Sequence, residues 1–119
     1  MPTSRQVGAR VAVARAQPAR DVASVVKTGL ASTSQPLDRA TRGFMERRFG
    51  WDFSRVKVHA DPAAARSALA LGARAYTVGN DIVFGAGAFH PTSAPGRSLL
   101  AHELAHSMQQ GAPLTRSVS

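Results

Sequence analysis

S-L-L-A-H-E-L-A-H-S-M-Q-Q, residues 98–110, decides how this chain is read. Leu100, Leu104 and Met108 recur every four residues, and Ala101 and Ala105 widen the stripe into the apolar face of an α-helix. His102, Glu103, His106, Gln109 and Gln110 fall on the other side. T-S-A-P-G-R at 92–97 precedes the helix, and Gly111 with Pro113 stops it. Within it, H-E-L-A-H at 102–106 sets two histidines one turn apart, so His102 and His106 can aim imidazole nitrogens at one ion. Zinc accepts such a pair, and Zn2+ is the expected cofactor. Glu103 lies about a hundred degrees round the helix from His102, off the ligand line. From there its carboxylate can take a proton from water that a metal has activated. This is the layout of a metallopeptidase helix, with Glu103 as the catalytic residue. The competing reading is a solvated His/Glu/Gln face that binds nothing.

Working towards the N-terminus, A-Y-T-V and D-I-V-F flank Gly79-Asn80 and predict a tight hairpin. Asp61-Pro62 starts a short Ala-rich helix, with Asp as N-cap and Gly72 past its end. S-R-V-K-V-H at 54–59 alternates, with Val56 and Val58 on one face and Lys57 and His59 on the other. Leu37, Ala40, Phe44 and Met45 predict a helix closed by Gly50. The order helix, strand, helix, hairpin, long helix is that of a small α+β domain, expected over 37–119 and zincin-like in its active-site helix. D-I-V-F is expected to offer an edge on which an extended peptide pairs.

Residues 1–36 hold Arg5, Arg10, Arg15, Arg20 and Lys27 against Asp21, and only one Leu. They are expected to form a disordered basic tail, too poor in large apolar side chains to offset ordering entropy. Net charge is +8, but the tail's arginines are evenly spaced and no aromatic residue accompanies them, which argues against specific nucleic-acid binding. The chain has no cysteine, so thiolate metal sites and disulfides are excluded. No apolar run is long enough to span a bilayer. The opening stretch is interrupted by Arg every five residues and does not read as a signal peptide.

A catalytic zinc needs a third protein ligand, and no acidic residue follows Glu103. His59 is the first candidate, since it ends a strand on the face opposite the valines and is expected to be free of the core. The alternative is a satisfied or surface histidine at a strand end. His90, before Pro91 in a loop, is the second candidate. Gln109 is placed to orient a ligand or water rather than to bind zinc, for which an amide oxygen is a poor donor.

The runs F-G-W-D-F-S-R-V-K-V-H-A-D (49–61), A-L-G-A-R-A-Y-T-V-G-N-D-I-V-F-G (70–85) and P-T-S-A-P-G-R-S-L-L-A-H-E-L-A-H-S-M-Q-Q (91–110) together resemble the DUF4157 family. That family is the core domain associated with extracellular contractile injection systems, and the resemblance covers Leu37 to Gly111. It implies a bacterial protein with a zinc metallopeptidase fold, of the kind found in effectors near phage-tail-like injection machines. His102, Glu103 and His106 match the family's H-E-x-x-H, and His59 matches its V-x-V-H element. His90 falls where the family more usually has Tyr, and Ser107 where a small aliphatic residue is usual. The implied function is hydrolysis of peptide bonds in the chain itself or in a partner. The alternative is a non-catalytic docking or loading module whose metal site is structural or vestigial. Expected partners are a polypeptide substrate and injection-system components. The expected location is the cytoplasm of the producing bacterium, or an injection system into which the chain is loaded.

Overall fold

A computed structural model describes residues 18–111. Four helices and four strands follow one another as α1 (Pro18–Ala31), β1 (Ser34–Pro36), α2 (Arg39–Phe49), β2 (Lys57–His59), α3 (Pro62–Ala70), β3 (Ala75–Val78), β4 (Asp81–Phe84) and α4 (Ala94–Gly111). The α+β class and the order of elements from residue 39 onward agree with the sequence. Local chemistry explains the boundaries. Asp38 caps α2 by accepting from the Thr41 N–H at 3.0 Å, and Gly50 ends that helix at φ 64 with its N–H on the Glu46 carbonyl. Asp61 caps α3 ahead of Pro62 in the same way.

The strands form one mixed sheet in the order β1-β2-β4-β3. β2 and β4 run parallel at its centre, with Val58 opposite Ile82, while β1 and β3 pair antiparallel on the outside. The edges are therefore β1 and β3. D-I-V-F, read from sequence as an exposed edge, is β4 and lies inside the sheet. Its Ile82, Val83 and Phe84 are fully buried, which is what a strand covered on both faces requires. The core joins Val56, Val58, Ile82 and Phe84 of the sheet region to Met45, Phe53, Leu100 and Leu104.

Two features depart from the sequence reading. The fold begins before Leu37: α1 packs on α3, and β1 pairs with β2. Val25, Val26 and Leu30 of α1 are partly buried, and the helix approaches closely at a glycine. Gly29 is buried, and a Cβ there would collide with the Tyr76 hydroxyl and come within 2.6 Å of Ser67 Oγ. Ser67 Oγ donates to the Val25 carbonyl at 2.8 Å and bonds Tyr76 OH at 2.5 Å. The part of the expected tail at 1–17 lies outside the described residues. The second departure is in α2, which buries Thr41 and Met45 and turns Phe44 outward to 39% exposure. Leu37 is buried but sits before the cap rather than in the helix.

Candidate metal centre

α4 has three faces rather than two. Ser93 starts it, its Oγ accepting from the Gly96 N–H at 3.1 Å and its carbonyl from Arg97 N–H at 2.8 Å. Gly96 is buried because the His90 backbone lies against it, where any Cβ would clash. Leu100 and Leu104 enter the core. Glu103, Ser107 and Gln110, spaced at i, i+4 and i+7, face the β3–β4 hairpin. His102, His106 and Gln109 are exposed.

His102 and His106 come together as their spacing requires. Their Nε2 atoms are 3.2 Å apart and their rings cross at 82°. In this arrangement one ring donates its Nε2–H to the bare nitrogen of the other. The separation also suits a shared cation: two Zn–N bonds of about 2.0–2.1 Å at a tetrahedral angle place their nitrogens about 3.4 Å apart. The pair thus fits two corners of a zinc site with small adjustment.

Glu103 is not on the open face with them. It is buried at 5% exposure, and its Oε1 accepts from Thr77 Oγ1 of β3 at 2.7 Å. The same hydroxyl lies 3.3 Å from the Glu103 carbonyl. Further along, Ser107 Oγ reaches Asn80 Oδ1 at 3.4 Å. Gln110 takes both exposed backbone groups at the end of β3, accepting from the Gly79 N–H at 2.6 Å and donating to the Thr77 carbonyl at 2.9 Å. One carboxamide thereby offers the donor and acceptor that a paired strand would offer.

His59, the expected third ligand, is elsewhere. It is 2% exposed, so its strand face is covered rather than free. Its Nε2 donates to Asp81 Oδ1 at 2.8 Å, and its Nδ1 lies 3.1 Å from both the hydroxyl and the carbonyl of Ser32. Both nitrogens are thus engaged in tying the α1–β1 junction to β2 and β4. His90 is exposed in the loop before α4. Among the described residues, no group of three metal-ligating side chains forms. Thr77 is the site residue with no signal in the sequence, because it meets Glu103 from a strand packed on the helix. Gln110 was legible on the polar face of α4, but its bonds to β3 were not, and Asp81 and Ser32 belong to the His59 network.

The model of the eCIS core domain matches residues 36–113, which take in α2 through α4 and both histidines of the pair. The chain belongs to the eCIS core domain family. Membership associates this eCIS core domain with an extracellular contractile injection system. Comparison with curated proteins and with solved structures finds no match. Among the described residues, no helix is long and apolar enough to cross a membrane.

Proposed function

We propose that α4 of this eCIS core domain carries a zinc-dependent peptidase centre that acts on a polypeptide of the injection system, with Glu103 as general base. The observation that supports it most is the 3.2 Å convergence of His102 and His106 beside a buried glutamate on the same helix. His102 and His106 would hold the metal, leaving positions for water and for a ligand from outside this pair. When bound, zinc supplies Lewis acidity, polarising a carbonyl and easing deprotonation of water. Glu103 would accept that proton and return it to the leaving amine. Thr77 holds Glu103 against β3 by donating to Oε1, so the other carboxylate oxygen would have to turn towards the histidine face to act as base. β3, at the sheet edge and bonded to Glu103, is the strand on which an extended peptide would pair. Gln110 would have to release the Thr77 carbonyl and the Gly79 amide for that pairing to reach the end of the strand.

The second reading is a docking module of the injection system, favoured by the lack of a third ligand among the described residues. Zinc titration followed by calorimetry, with a peptidase assay on the same samples, separates the two. One zinc per chain is expected in the wild type and none in His102→Ala. Glu103→Gln is expected to keep the zinc and lose about a hundred- to ten-thousand-fold in cleavage rate. A wild type that takes up no zinc would end the metal reading. Full activity in Glu103→Gln would end the role given to Glu103.

A further inference from the structure

We propose that the groove between α2 and α4 binds an extended polypeptide segment carrying an acidic side chain beside an apolar one. The groove encloses about 530 Å³. Met45, Ala101 and Ala105 line it, and the small alanines leave room against the exposed Phe44. Arg48 and Arg97 also line it, and no acidic residue does. Both arginines are set against rings, the Arg97 guanidinium 5.1 Å from the centre of Phe44 and that of Arg48 5.7 Å from the centre of Phe49. Each is held in place by its ring while its edge can still donate.

Among the described residues, neither Arg48 nor Arg97 forms an ion pair. α2 contains one acidic residue, Glu46, which accepts from Arg42 at 2.9 Å and from the Phe53 N–H at 2.8 Å. α4 contains one, Glu103, which faces Thr77 across the helix. Arg97 is partly buried, with its Nε covered, so an incoming carboxylate would be met by the terminal nitrogens of its guanidinium. A carboxylate matches arginine as a bidentate acceptor, and the groove's apolar wall suits a neighbouring aliphatic or aromatic side chain. His102 also lines the groove, so a bound segment would lie beside the proposed metal pair, but the arginines and Phe44 make contacts that need no cation, and chelator keeps the two readings apart.

The test uses the full-length protein in chelator and the fluorescence anisotropy of two labelled peptides. One has two glutamates flanking leucine and phenylalanine, and the other has glutamine at both places. The acidic peptide is expected to bind about tenfold tighter than its amide twin. Arg48→Glu should erase that preference. Arg66→Glu, the same charge change on α3, should keep it. Arg97→Gln should reduce the preference, and Phe44→Ser should weaken both peptides. Equal affinity for the two peptides would overturn the proposal. So would an equal loss in Arg48→Glu and Arg66→Glu, because that would show attraction to net charge alone.

Discussion

At the scale of single residues, a buried hydrogen bond across the sheet separates roles that look alike in sequence. His59 and His102 are both histidines on apparently polar faces, yet one is 2% exposed and the other faces solvent. His59→Leu should therefore lower stability by about 1–3 kcal/mol, since it leaves Asp81 and Ser32 without a shared partner, while zinc stoichiometry stays unchanged. Denaturant unfolding and metal titration of one preparation check both parts, and lost zinc with unchanged stability would place His59 at the metal after all. Thr77→Val removes the only side-chain donor given to the buried Glu103 carboxylate among the described residues. A cost of about 1–3 kcal/mol is expected, restored by Thr77→Ser, which keeps the hydroxyl.

At the scale of elements, α4 and the β3–β4 hairpin behave as one unit. Gln110 is exposed, but its carboxamide closes the end of the β3 edge. Gln110→Ala is expected to cost about 1–3 kcal/mol at most, at roughly 0.5–1.5 for each of two exchanged hydrogen bonds. Hydrogen exchange at the Gly79 amide should speed up, with the core amides of β4 unaffected. Leu104→Asp is a different case, because it places an unpaired charge in the core, and loss of cooperative folding is expected on melting.

Across the whole molecule, two helix caps link stability to acid. The Thr41 hydroxyl, and after it the Thr41 N–H, hold the Asp38 carboxyl below its ordinary range. The Ala64 N–H, with the Thr33 N–H adding to it, does the same for Asp61. A depressed folded-state value means that the contribution is complete above the ordinary carboxylate range and is lost as pH falls through the folded value. The melting temperature should therefore fall below pH of about 4, and less steeply in Asp38→Asn/Asp61→Asn, whose amides still cap but do not titrate there. A melting temperature that rises on acidification from pH 5 to 3 would contradict this. Asp61 also accepts from Thr33 at 3.0 Å, so the same acid sensitivity extends to the junction between α1 and β1.

Periodicity and capping chemistry were sufficient to place α2, α3, the hairpin and α4, because spacing, Asp-Pro and Gly signals act within a few residues. They also sufficed to bring His102 and His106 together, since positions four apart on a helix meet whatever surrounds it. The rotation of Phe44, the interior place of β4 and the burial of Glu103 and His59 were settled by tertiary packing. Each depends on what lies across the sheet, and a polar residue bonded there has the same local pattern as one in water. α1 lies between the two: Val22, Val25, Val26 and Leu30 recur at helical spacing in the sequence, but the close approach at Gly29 and the bond from Ser67 that hold the helix to α3 are decided by packing.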